Sequence, residues 1–144
     1  MLVRLRKKQK KALTNTKDVH SFVWNIIRRK PLFDRQKEHV YVIGMSRSQQ
    51  IIYVDWVSMG TVHGTVAEPR EIFRMAILKG VSSIIMVHNH PSNNPKPSKQ
   101  DLVVTQQVVA AGKIIGIQVL DHVIICANRH YSFYLNGKIG EGTF

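Results

Sequence analysis

His88 and His90 stand two residues apart, with Asn89 between them and Pro91 directly after. A serine and a carboxylate follow in Ser98-Lys99-Gln100-Asp101. The apolar run Val81 to Val87 leads into the pair, so a strand is expected there. Residues i and i+2 of a strand point to one face, so the two imidazoles can converge on one metal ion. Asp101, eleven positions beyond His90, supplies a third ligand if the intervening loop folds back. Three N/O ligands with an open fourth position describe a catalytic zinc site rather than a closed structural one.

Each part has a plainer reading on its own. A strand histidine is commonly a satisfied or surface residue. Ser98-x-x-Asp101 has the form of a capping box at a helix start. The readings overlap, because Ser98 can open a helix while its hydroxyl or the Asp101 carboxylate faces a metal. Asn89 points to the other face, where it can hydrogen-bond beneath the site. Hydrolysis also needs a general base. The candidates are Glu38, Glu68, Glu71 and Glu141, and spacing does not choose among them.

These residues need elements to position them. A helix is expected from Asp18 as N-cap, with Val19, Phe22, Val23, Ile26 and Ile27 at helical spacing, Arg28-Arg29-Lys30 in its last turn and Pro31 ending it. Two β-type runs, His39 to Met45 and Ile51 to Val57, flank the polar turn Ser46 to Gln50 and predict an antiparallel hairpin. Met59 to Thr65, with Gly60 and Gly64, reads as a loop or a ragged strand. Pro69 opens a helix with Ile72, Phe73, Ala76 and Ile77 on one face, closed by Gly80. The proline-rich loop Pro91 to Pro97 leads to a helix from Ser98, with Leu102, Val103, Val109 and Ala110 apolar, closing at Gly112. Ile114 to Ile125 reads as strand interrupted at Asp121-His122, and His130 to Leu135 as a last short strand. Strands mixed with three helices predict a layered α/β or α+β domain.

The chain has 144 residues, which suits one domain, and 44% hydrophobic residues, which argues against wholesale disorder. Its net charge is +12, unevenly spread. Residues 1–37 carry 12 Lys/Arg against 2 Asp/Glu, and residues 38–144 carry 9 against 7. The excess sits in a basic arm expected to be flexible over residues 1–17, while residues 137–144 read as a Gly-rich tail. The arm reads either as a nucleic-acid contact or as a solvated tail without a partner. The single cysteine, Cys126, reads as a buried small hydrophobe and suits a cytoplasmic protein. No apolar run approaches the roughly 18 residues of a membrane helix, and no secretory signal is expected. A homo-oligomer through an exposed strand edge is one expectation. His20 and His63 are expected at the surface, His122 in a structural hydrogen bond, and Trp24 and Trp56 in core or interface.

Taken together, Glu38, His88-Asn89-His90-Pro91 and Ser98-x-x-Asp101 resemble the metalloprotease motif of the JAMM (MPN) superfamily. More narrowly, Lys37-Glu38-His39, Pro69-Arg70-Glu71-Ile72-Phe73-Arg74, His88-Asn89-His90-Pro91-Ser92, Pro97-Ser98-Lys99-Gln100-Asp101 and Leu120-Asp121-His122 resemble the bacterial RadC family, over residues 18–136. The resemblance implies an α/β, cytidine-deaminase-like three-layer domain with a mixed sheet flanked by helices. It implies His88, His90 and Asp101 as zinc ligands, Glu38 as general base and Ser98 as oxyanion support. The implied reaction is hydrolysis of a peptide or isopeptide bond in a protein or peptide substrate, by a water that zinc acidifies. Full-length RadC-type proteins carry an N-terminal helix-hairpin-helix module of DNA-binding type. Only the basic arm and one helix precede Glu38 here, so that module is expected to be missing.

Two other functions follow from different features. One is a DNA-repair-associated, DNA-binding module of the RadC type with a non-catalytic metal site, acting through the basic arm. The other is base deamination, which the implied fold permits. It is disfavoured because H-x-E with a later P-C-x-x-C is absent.

Overall fold

The computed structural model describes residues 1–6, 12–60 and 67–140. Its centre is a five-stranded mixed sheet. The strands are β1 (His39–Met45), β2 (Ile51–Met59), β3 (Ser83–Asn89), β4 (Gln118–Ile125) and β5 (His130–Ser132), in the order β2-β1-β3-β4-β5. β3 and β4 pair in parallel, and the other three pairings are antiparallel. The helices are α1 (Thr16–Ile27), α2 (Leu32–Arg35), α3 (Pro69–Lys79) and α4 (Lys99–Ile115).

Side chains alternate along each strand and divide the interior into two cores. Val40, Val42, Ile84 and Met86 face Ile72, Phe73 and Ala76 of α3 and Val104 and Val108 of α4. Tyr41, Ile43, Ile85 and Val87 face Val19, Val23 and Ile27 of α1. Helix, sheet and helix pair thus form the three layers expected of an α/β JAMM-type domain. The parallel β3–β4 step requires a crossover, and α4 provides it. Among the described residues no helix is long and apolar enough to cross a membrane.

Several local expectations change. α1 begins at Thr16 rather than after Asp18. Asn15 is its N-cap and accepts from Asp18 N at 3.0 Å, while the Asp18 carboxylate accepts from the Thr14 amide and hydroxyl. Arg28 is already the C-cap, and Arg29 and Lys30 lie in tight turns after it. α2 separates α1 from β1 where no helix is expected. In α3, Ile77 is exposed. In α4 the buried positions are Val104, Thr105, Val108 and Gly112; Leu102 and Val109 pack partly buried against the same core as expected, whereas Val103 and Ala110 are exposed.

α4 also runs past Gly112 to Ile115 and ends at Gly116 in the left-handed conformation. Gly112 is needed for space, because a Cβ there would lie 2.5 Å from the Ile117 carbonyl oxygen. Gly112→Ala is therefore expected to destabilise by roughly 1–3 kcal/mol, although alanine is the better helix former by about 1 kcal/mol. Urea denaturation checks this as a lower midpoint with an unchanged slope.

β4 is continuous through Asp121-His122, but its register against β3 shifts. Ile84 pairs with Val119 and Ile85 with Asp121, so Leu120 is the extra residue of a bulge. β5 ends at Ser132. The described parts of the arm and the tail make contacts with the rest of the domain. Val3 N donates to Val54 O at 2.8 Å and Leu2 bridges Asp55, so the N-terminal residues cover part of the β2 edge. At the other end Ile139 is buried in the α3/α4 core.

Candidate metal centre

The centre forms where β3 ends beside the start of α4. His88 is the last inward-facing residue of β3 on the α4 side and is 4% exposed. His90 lies just past the strand, and its amide still donates to Ile125 O of β4 at 3.0 Å. Asn93 adopts a left-handed conformation and turns the loop back, and its side chain accepts from Ala127 N. His90 Nδ1 donates to the Asn94 carbonyl at 2.8 Å, which fixes the ring. α4 then opens at Ser98.

Ser98 and Asp101 form the expected capping box. Ser98 Oγ accepts from Asp101 N at 3.0 Å, and Asp101 Oδ2 accepts from Ser98 N at 2.7 Å. The same carboxylate faces the histidines, with Oδ1 3.4 Å from His88 Nε2 and Oδ2 3.5 Å from His90 Nε2. The two Nε2 atoms are 3.0 Å apart. One ligand atom from each of the three residues lies within 4.8 Å of the others. Two imidazoles and a carboxylate match zinc in number and kind, and imidazole suits several other transition metals.

The electrostatics favour a cation. Burial opposes ionisation of Asp101, but the imidazoles of His88 and His90 beside it and the Ser98 amide outweigh it and hold the carboxyl well below its usual range. Burial pulls His90 down, yet contact with Asp101 and the Asn94 carbonyl lifts it above 6.5. His122 is driven well below its ordinary value, chiefly by burial, and is therefore neutral.

Glu38 immediately precedes β1 and lines a small cavity together with His88, Gln100, Asp101 and His122. The cavity volume is about 20 Å³, the size of one water site. Asn89 holds Glu38 in place from the opposite face of β3. Its Oδ1 accepts from His39 N at 2.8 Å and its Nδ2 donates to Lys37 O at 3.0 Å, one bond on each side of Glu38. Gly60 N donates to Glu38 O at 2.8 Å. Ser98 is not among the cavity-lining residues; its resolved role is the cap.

The other candidates go elsewhere. Glu68 and Glu71 pair with Arg70 and Arg74 on the surface of α3. Glu141 and His63 lie outside the described residues. His39 is buried, with Nε2 2.6 Å from Asp34 O. His20 is half-buried rather than at the surface, with Nε2 2.7 Å from Cys126 O. Trp24 and Trp56 pack against the α1-side core. Thr105 is a residue that spacing did not single out. It contacts His122, and His122 contacts His88. Its signal was its position four residues after Asp101, on the same helix face.

A family profile described as RadC-like JAB domain matches residues 13–138. A UPF0758 protein of Desulforamulus reducens is 42% identical over 108 residues, covering 75% of this chain and 48% of that protein. A UPF0758 protein of Methanosarcina mazei is 35% identical over 130 residues, covering 90% of this chain and 55% of that protein. The chain spans about half the length of the curated relatives it matches.

Proposed function

The chain belongs to the family of RadC-like JAB domains, and on that footing we propose that it is a zinc-dependent hydrolase cleaving a peptide or isopeptide bond. The observation that carries the reading is the placing of Glu38 on the same one-water cavity as His88 and Asp101, with His90 completing the ligand set. His88, His90 and Asp101 would hold the ion. Zinc bound there supplies Lewis acidity, which acidifies water and polarises a carbonyl. Glu38 takes a proton from the attacking water and returns it to the leaving amine. Ser98, whose hydroxyl proton is not used by the cap, supports the developing oxyanion. Asn89 keeps the backbone on both sides of Glu38 from drifting.

The test is metal analysis of the purified protein together with hydrolysis of a panel of peptide and isopeptide substrates. Zinc near one per chain and cleavage that a chelator stops and zinc restores are expected. A protein that neither retains nor rebinds zinc sinks the reading. The pH dependence has a definite sign. Protons compete with metal for imidazole nitrogen, and contact with Asp101 and the Asn94 carbonyl raises the pKa of His90 over that of an ordinary imidazole. Zinc affinity is therefore expected to fall as pH drops, starting at a higher pH than an ordinary imidazole ligand would give, as read by chelator competition across a pH series.

A second reading has one observation in its favour. Arg4, Arg6 and Arg29 line a groove of about 650 Å³ between the N-terminal segment and α1. We propose that this groove takes the phosphate backbone of a nucleic acid. Replacing Arg4 and Arg29 with serine is then expected to flatten the dependence of log affinity on log salt by about 1 per lost phosphate contact. An unchanged slope removes the reading.

A further inference from the structure

Three hydrogen bonds connect α4, β4 and β3 beneath the candidate centre. Thr105 Oγ1 lies 2.6 Å from the Asp101 carbonyl oxygen, His122 Nδ1 lies 2.6 Å from Thr105 Oγ1, and His88 Nδ1 lies 2.7 Å from His122 Nε2. His122 and Thr105 are each 2% exposed, so water does not compete for these groups.

The direction of each bond can be assigned. A carbonyl oxygen only accepts, so the 2.6 Å contact with Asp101 O requires the Thr105 proton. Pointing that proton elsewhere would leave two oxygen lone pairs in close opposition. Thr105 has no second proton, so His122 Nδ1–H must donate to it. In a neutral ring the other nitrogen, His122 Nε2, then carries the lone pair. It can only accept, so His88 Nδ1–H donates. That leaves the lone pair of His88 on Nε2, the nitrogen that faces His90 Nε2 and Asp101.

We infer that Thr105 and His122 are positioning residues that set the tautomer of His88, so that Nε2 is offered to the metal. The β4 bulge makes this geometry available. The extra residue Leu120 puts Val119 and His122, an odd number of positions apart, on the same face of the sheet as Met86 and His88. Thr105 also ties two of the ligands together, bonding the backbone of Asp101 directly and His88 through His122.

The inference rests on the metal reading proposed above, and its test separates the two. Thr105→Val keeps the shape and removes the acceptor. His122 then loses its partner for Nδ1–H and is expected to move its proton to Nε2, which drives the His88 proton to Nε2 and blocks that ligand. Zinc affinity by chelator competition on the full chain is expected to fall about 10–100-fold. Thr105→Ser is expected to stay within a few-fold of the parent. Long-range ¹H–¹⁵N NMR of the metal-free parent is expected to show His88 protonated on Nδ1, and the valine variant should lose that pattern. Equal zinc affinity in parent and Thr105→Val, or a parent His88 protonated on Nε2, overturns the inference. A parent that binds no zinc defeats the hydrolase reading instead, and the NMR pattern still decides the tautomer.

Discussion

Glu38→Gln is expected to lower hydrolysis by about 10²–10⁴-fold while zinc stays bound at the parent level. Glutamine keeps the size of the side chain and one acceptor oxygen but cannot take a proton at neutral pH. Among the described residues, the bonds that hold the segment in place go to its backbone and not to the carboxylate. The Asn89 bonds go to the backbone of Lys37 and His39, and the Gly60 bond goes to the Glu38 carbonyl. The variant should therefore fold and load metal normally. Single-turnover rates and metal content measured on the same sample check it. Undiminished cleavage by Glu38→Gln would remove Glu38 as the base.

Asp101 has a larger range of consequences, because one carboxylate caps α4 and, on the proposed reading, would also bind the metal. Asp101→Ala is expected to reduce zinc from about one per chain to near zero. It also opens the capping box at the start of α4, a loss of the order of 0.5–2 kcal/mol. Ser98→Ala separates the two effects. It removes the hydroxyl that accepts from Asp101 N, so stability falls by a similar amount while metal binding is retained. Thermal unfolding and metal analysis of the two variants give a crossed pattern. Normal zinc in Asp101→Ala would mean that the carboxylate is only a cap.

Much of this centre was legible from local spacing. His88 and His90 follow strand periodicity, and Ser98 and Asp101 follow capping chemistry, so both pairs were visible within a few residues. The hairpin of β1 and β2 was legible for the same reason. Glu38 was not, because its approach depends on the pairing of β1 with β3, whose register joins Val40 to His88. The His88–His122–Thr105 chain was hidden more deeply. Its links span 34 and 17 residues and depend on the bulge at Leu120. In sequence that bulge looked like a broken strand at Asp121-His122, since it disturbs the period-two pattern. The face of α4 was legible only in part: Leu102 and Val109 pack against the core, but Thr105 and Gly112 are buried for their contacts rather than for hydrophobicity.

On the proposed reading, three consecutive residues, His88, Asn89 and His90, would serve the metal, the base and the metal in turn. That order makes the centre an alignment key for the sheet. A slip of one residue between β1 and β3 would turn every side chain of the slipped strand to the other face. It would send an imidazole into the α1-side core, bring an amide to the ligand position and release the clamp on Glu38 in the same step. A misregistered sheet would lose ligand and base together. Misfolded copies of this domain would be inert rather than loosely active.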